Sequence, residues 1–385
     1  MYTEEEKNKI IEELKVLLSI PSNSDYKYGV NLMAGRIIQL TKDLPIKWER
    51  FESKVETGDY LVGRSVEIKK DKPMVLLSAH MDTVYSANDV KVRVVDNKIY
   101  GAGAEDIKSG IEVIIEILRN LNRTGQLNNI IVSFSSEEEK ATLNFRPLLS
   151  SLAKEADYVM VFESSLNSDH DAPLDQMSIV RSRRGFQGFS IEVVGPGGHS
   201  GVLYKKEHRK NAVLKMAEII LKLEGLADYE KFTTVNTGVI EGGKTYNTLA
   251  PYCKIKCDCR FKFNNEMDRF LLDVRELLKL VDPKKDFKIT LTEDLPFPAM
   301  LRDPLTDEFA QLCFNVSKNL NIKLSEEDRG GGSEASMFQF ANPKAKVLDG
   351  FGPRGGEEHT PLEFVHIDSI FISIELGFNI IKSLI

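Results

Sequence analysis

Four short apolar runs limit what this chain can fold into more than any other feature. MVLLSA (74–79), IIVSF (130–134), YVMVF (158–162) and AKVLDG (345–350) have the length and β-branched content of strands buried on both faces. Between the first two, IKSGIEVIIEILRNL (107–121) carries apolar residues at helical spacing among strong helix formers. The closing stretch IDSIFISIELGFNIIKSLI reads as another helix packed on a sheet. Strands alternating with helices imply an α/β fold, a mostly parallel sheet sandwiched by helices. At the start, Thr3 and Glu6 have the spacing of a helix capping box.

Residues 186–295 break that alternation. FQGFSIEVVG, NAVLKMAEIILKLEGL, TTVNTGVI, YCKIKCDCRFKF, NEMDRFLLDVRELLKLV and FKITLTE read in turn as strand, helix, strand, strand, helix and strand. That order is ferredoxin-like. The expected organisation is a discontinuous α/β domain, residues 1–185 and 296–385, carrying an inserted α+β domain at 186–295. A chain of 385 residues is long enough for both cores. With 51 basic against 58 acidic residues, the net charge of −7 gives no broad attraction to nucleic acid or anionic membranes. No apolar run nears the ~20 residues of a membrane helix. The charged, amphipathic start is unlike a secretory signal, and four cysteines are too sparse for a disulfide framework. These features predict a cytoplasmic protein.

The acids and histidines fall at strand ends. His80 and Asp82 follow the first run, Glu137, Glu138 and Glu139 the second, Glu163 closes on the third, and His359 lies beyond the fourth. Asp106 sits in the glycine-rich loop GAGAED ahead of a helix. In open α/β sheets the ligand site lies outside the carboxyl ends of the strands, so these side chains are expected at one edge. Imidazole and carboxylate donors suit zinc, and a carboxylate can bridge two ions. Taken singly, HxD is an ordinary capped turn, EEE a solvated charge patch and GAGAED a helix entry. Their recurrence at separate strand ends favours a metal centre.

AHMDTV (79–84), GAGAEDIKSG (101–110), FSSEEEKA (134–141), FESS (162–165), RRGFQGFSIEVVGPGGHSG (183–201), EGGKTYN (241–247), GGGSEA (330–335) and DGFGPRGGEEHTPLEFV (349–365) occur in that order. The ordered set resembles the di-zinc amidohydrolase family of glutamate carboxypeptidase, acetylornithine deacetylase, succinyl-diaminopimelate desuccinylase and peptidase T. The last motif looks closest to the glutamate-carboxypeptidase-like branch. The resemblance spans essentially the whole chain. It implies a zinc exopeptidase-like catalytic domain and an inserted lid domain through which the enzyme forms a homodimer. It also implies two Zn2+ per subunit, with Co2+ or Mn2+ as substitutes. Asp106 would bridge the ions, His80 and Glu163 would hold one, and Glu139 and His359 the other.

By the same resemblance, Glu138 is the general base and Asp82 accepts the second ring N–H of His80. His199 reaches the substrate of the neighbouring subunit, and Asn247, Arg260 and Gly332 bind substrate. The implied activity is hydrolysis of an amide in a small peptide or N-acyl amino acid bearing a free carboxylate, as a carboxypeptidase. An N-acyl amino acid deacylase, of deacetylase or desuccinylase type, is the alternative. Glu137 and Glu334 depart from the family pattern, which usually has Asp at both places. At a strand end, Glu138 and Glu139 point to different sides and so can divide the roles of base and ligand. The resemblance also implies a cis Asp106–Ile107 peptide.

The strand reading sorts three further features. In YCKIKCDCRFKF, Cys253, Ile255, Cys257, Cys259 and Phe261 share one face, and Arg260 lies on the other, where it could grip a carboxylate bidentately. The three cysteines then pack as small hydrophobes rather than as a zinc cluster. GVIEGGKT (238–245) satisfies the phosphate-loop pattern, which makes a nucleotide-binding protein the remote alternative. Such a loop must open a helix. Here Pro251 and a period-two pattern follow instead.

Overall fold

A computed structural model describes residues 2–165, 176–202 and 205–385. Contacts divide the chain into two units: Met1–Ser182 with Arg302–Arg329 and Ser333–Ile385, and Arg183–Leu301 with Gly330–Gly332. The second unit runs past the expected 186–295 at both ends. Arg183 and Met300 exchange backbone hydrogen bonds at 3.1 and 3.0 Å, which keeps the two connecting segments zipped beyond the sheet.

In the first unit, the described residues form a six-stranded sheet. Its order is Ile46–Phe51, Tyr60–Ser65, Ile130–Ser135, Val75–His80, Tyr158–Val161, Lys346–Leu348. The last four run parallel, and the first two add antiparallel. Val75–His80 and Ile130–Ser135 are buried at every position, which is why they read as mostly apolar runs without alternation. The helix Lys108–Arg123 is buried on nearly all sides, because it packs on both Val75–His80 and the C-terminal helix Ile367–Leu384. Gly110 lets it come that close: a Cβ there would stand 2.4 Å from the carbonyl oxygen of Phe162. The Thr3–Glu6 capping box is present at the head of Glu4–Leu18.

The second unit has the antiparallel order Thr234–Gly242, Tyr252–Phe261, Gly185–Val194, Lys288–Glu293. The helices Ala212–Glu224 and Asn264–Val281 share a core with it through Phe189, Ile191, Met216, Ile255 and Phe270. This is the ferredoxin-like arrangement. Cys253, Cys257 and Cys259 are buried in that core. After Gly242 the chain enters the short strand Thr248–Leu249 and then Tyr252–Phe261. No helix opens at residues 243–245, so the phosphate-loop reading fails. Among the described residues, no helix is long and apolar enough to cross a membrane.

Candidate active site

His80 is the last residue of its strand, Glu138 and Glu139 open a 3₁₀ turn just past Ile130–Ser135, and Glu163 lies two residues past Tyr158–Val161. The glutamates therefore diverge through a turn, not through the alternation of an extended strand. Asp106 comes from the loop ahead of Lys108–Arg123, where the Asp106–Ile107 peptide is cis, as the resemblance implied. His359 comes from the turn between the short strands Gly355–Gly356 and Phe364–His366, beyond Lys346–Leu348.

These side chains meet around the carboxylate of Asp106. Its Oδ1 lies 2.8 Å from His80 Nε2 and its Oδ2 lies 3.0 Å from His359 Nε2. Glu163 Oε1 is 3.8 Å from His80 Nε2, and Glu139 Oε2 is 3.3 Å from His359 Nε2. Each half thus holds one imidazole, one glutamate and one oxygen of the shared aspartate. Donors bound at about 2.0–2.1 Å to a tetrahedral ion stand ~3.3 Å apart, so these spacings suit a metal. Glu139 Oε1 is buried without a hydrogen-bond partner, as a ligand atom facing an ion would be. His80, Asp106 and Glu139 together offer donor atoms close enough to hold a metal ion.

Its electrostatics point the same way. Burial pushes the Asp106 carboxyl upward, but His80 and His359 beside it hold it well below the usual range. Burial raises both Glu138 and Glu139. The His359 imidazole, bonded to Asp106 and Glu139, is pushed up to about 11. Burial opposes the charge on His80, but Asp106 outweighs it and raises that ring as well. The carboxylates hold protons on both imidazoles, and a metal ligated by the ring nitrogens must displace them. Adding zinc to metal-free protein in weak buffer at pH 7 should release protons as the metal binds. A pH-stat trace showing no release would count against histidine ligation.

The supporting residues differ in part from expectation. His80 Nδ1 donates to the backbone carbonyl of Asp82 at 2.9 Å, whereas the Asp82 carboxylate is 3.5 Å away. The tautomer that presents Nε2 to Asp106 is therefore set chiefly by the carbonyl. The Asp82 carboxylate instead accepts the N–H of Glu138 (3.1 Å), the N–H of Glu139 (3.3 Å) and the Ser24 hydroxyl (2.7 Å). It pins the turn that carries both glutamates. Glu137 accepts from the Asn144 backbone and side chain at 2.5 and 2.7 Å, closing the loop before the helix Arg146–Glu155. Glu334 reaches Ser78, two residues before His80, and Thr142, each at 3.1 Å. Both replacements for Asp thus have structural partners.

Glu363 was not singled out from the sequence, although it lies inside the HTPLEFV motif. Its carboxylate accepts the N–H groups of Gly103 (2.9 Å), Glu105 (2.8 Å) and Asp106 (3.0 Å). The loop bearing Asp106 is thereby wrapped around one side chain, with Gly103 at φ +80° making the turn. In Glu363→Gln an amide NH2 must face at least one of those donors. Affinity for the metals should fall by the ~10–100-fold typical of lost outer supports. Competition with a zinc chelator measures this, and unchanged affinity would show that the loop holds Asp106 without Glu363.

In the second unit, His199 ends the two-residue strand Gly198–His199, which pairs with Thr248–Leu249. The N–H of Gly201 donates to His199 Nδ1 at 3.1 Å. In the neutral ring Nε2 therefore carries the proton and serves as a donor. The Asn247 carbonyl accepts from the Ser200 N–H at 3.0 Å and the Ser200 hydroxyl at 2.9 Å, so residues 199 and 247 lie in neighbouring turns. Arg260 donates from Nε to Asp258 at 2.7 Å, with its guanidinium 4.8 Å over the Phe186 ring. Gly332 lies against Phe297 and Phe186, where a Cβ would come within 2.8 Å of a ring carbon.

The model of peptidase family M20/M25/M40 matches residues 76–383. Carboxypeptidase G2 of Pseudomonas sp. (strain RS-16) is 26% identical over 390 residues, covering 99% of this chain and 90% of that protein. An acetylornithine deacetylase of Aliivibrio salmonicida (strain LFI1238) is 25% identical over 332 residues, 80% of each. The crystal structure of aminopeptidase PepT from Bacillus cereus ATCC 10987 superposes with a TM-score of 0.83 at 19% identity, covering 98% of both chains. That last likeness speaks for the fold alone.

Proposed function

Because this chain belongs to peptidase family M20/M25/M40, and so is a hydrolytic enzyme, we propose that it cleaves an amide bond next to a free carboxylate. The substrate is a small peptide or N-acyl amino acid, and the reaction is that of a carboxypeptidase supported by two zinc ions. The observation that carries this reading is the Asp106 carboxylate, whose two oxygens face two histidines, each with its own glutamate. Zinc held by these donors would polarise the amide carbonyl and lower the pKa of a water.

The chain's own residues supply the rest. Glu138, fixed through its N–H by Asp82, takes the proton from water and passes it to the leaving amine. His199 Nε2–H donates to the oxygen on which charge develops. Arg260, oriented by Asp258 and Phe186, binds the free carboxylate together with Asn247. In this reading His199 serves the neighbouring subunit of a homodimer formed through the second unit. That unit's sheet has Thr234–Gly242 and Lys288–Glu293 at its edges, and an edge strand extended across a two-fold axis is protected.

The deacylase alternative rests on the deacetylase relative. The test is a hydrolysis screen of the zinc-loaded protein on dipeptides, tripeptides and N-acyl amino acids, each with a free or amidated α-carboxylate. Cleavage should require the free carboxylate and release a C-terminal residue from peptides. Equal cleavage of amidated substrates would overturn the carboxylate requirement. Turnover confined to N-acyl amino acids would replace the carboxypeptidase with the deacylase.

A further inference from the structure

Within the first unit, the helices Glu4–Leu18 and Lys108–Arg123 enclose a second group of acids away from the strand-end cluster. Glu13, Glu112 and Glu116 each bring a carboxylate oxygen within 4.8 Å of the others. Glu112 and Glu116 are one helical turn apart on the same face. Both are buried, Glu112 completely. Arg119 Nη1 donates to Glu13 and to Glu116, each at 2.6 Å, and the Tyr2 hydroxyl donates to Glu116 at 2.7 Å. Neither oxygen of Glu112 meets a hydrogen-bond donor among the described residues. Arg36 faces the group from the helix Lys27–Leu40 but donates to Gln39.

Three carboxylates against the bridging Arg119 and the nearby Arg36 leave one negative charge in a buried place, and Glu112, which meets no donor, is where it falls. An unpaired charge there costs several kcal/mol, so the group calls for a positive partner of its own. We propose that Glu13, Glu112 and Glu116 form a binding site for one hard divalent cation of calcium's size, separate from the catalytic centre. The donors are all carboxylate oxygens, which suit hard cations, whereas the strand-end cluster offers the imidazoles that zinc prefers. Calcium–oxygen bonds of about 2.3–2.6 Å place donors up to ~5 Å apart across the ion, and the three oxygens lie within that reach of one another. Magnesium demands a near-ideal octahedron and is usually held by only one or two carboxylates. Glu13, only partly covered, gives the route by which the ion and its remaining waters enter.

Terbium(III) is a luminescent stand-in for calcium, and Tyr2, bonded to Glu116, is placed to sensitise it. The full-length, zinc-loaded protein should show saturable tyrosine-sensitised terbium emission at one site per chain. Calcium should displace the terbium and raise the thermal midpoint. Glu112→Gln should weaken terbium and calcium binding by more than the ~10–100-fold that outer-support changes cost, with zinc content unchanged. Glu13→Gln, on the exposed side, carries the same expectation should Glu112→Gln fail to fold. Saturable binding that both variants retain would place the ion elsewhere. No saturable binding in the wild type, or a Glu112→Gln protein of equal or higher thermal midpoint that calcium leaves unmoved in both, would mean that Glu112 simply holds a proton.

Discussion

Replacing Glu138 by glutamine should leave two zinc ions per subunit and remove ~10²–10⁴-fold of the turnover, the range that general-base deletions commonly cost. The amide keeps the size of the side chain and the backbone bond to Asp82, so only proton acceptance is lost. Glu139→Gln should behave differently. Its Oε2 lies 3.3 Å from His359 Nε2 and its Oε1 is buried without a partner, so metal content should fall along with rate. The pH dependence adds a sign. Burial raises Glu138 above the ordinary carboxylate range, and a base works only when deprotonated. In the wild type kcat/KM should therefore rise with pH along an acid limb, and that limb should vanish in Glu138→Gln. Normal turnover in the variant, or loss of its zinc, would move the general base elsewhere.

His199→Ala should keep its zinc and lose ~10²–10³-fold in kcat, as expected for removal of one oxyanion donor. Mixing it with Glu138→Gln subunits separates the two ways His199 could act. If each histidine serves its neighbour, a mixed dimer holds one complete site. Equal mixing makes half the dimers mixed, so activity should recover to about a quarter of the wild type. A mixture that exchanges subunits yet stays inactive would place His199 in its own subunit's site or outside catalysis. His199→Gln tests the donor itself. The N–H of Gly201 holds Nδ1 as an acceptor, so the donor must be Nε2–H. A glutamine NH2 reaching the same point should restore more rate than alanine.

The sheet was readable because burial on both faces keeps Val75–His80 and Ile130–Ser135 mostly apolar, with only small serines and the terminal His80 among their polar residues. The second unit was readable for the opposite reason: Tyr252–Phe261 buries every second residue, and a strict period of two betrays a half-covered strand. The edge strand Ile46–Phe51 gave no comparable signal, because its side chains are half-covered at best. The strand-end acids were visible by position, but their partners were not. HxD contains both a carboxylate and a carbonyl that His80 could use, and only three-dimensional geometry chooses between them. Glu138 and Glu139 lie in a run of like residues with no periodicity, which hid the 3₁₀ turn. Glu363 acts on a loop some 260 residues earlier in the chain, a separation at which sequence spacing carries no information. The edges of the second unit were misplaced because its two connecting segments pair with each other before parting.

That interrupted chain has a consequence for synthesis on the ribosome. Lys346–Leu348 pairs with Tyr158–Val161 across a sequence separation of 188 residues, and the second unit is made in between. Until the last segment emerges, Tyr158–Val161 is an open edge in the most apolar part of the nascent protein. His359 is also still missing. The early portion can collapse, but it can neither close its sheet nor assemble the full strand-end cluster. Unpaired, apolar edges are where unfinished chains associate wrongly. The antiparallel second unit, whose strands lie within about a hundred residues of one another, can fold meanwhile. A nascent chain stalled once residues up to about 300 have left the ribosome should thus combine a protease-resistant second unit with a first unit that binds chaperones, and release of the remaining residues should end that binding.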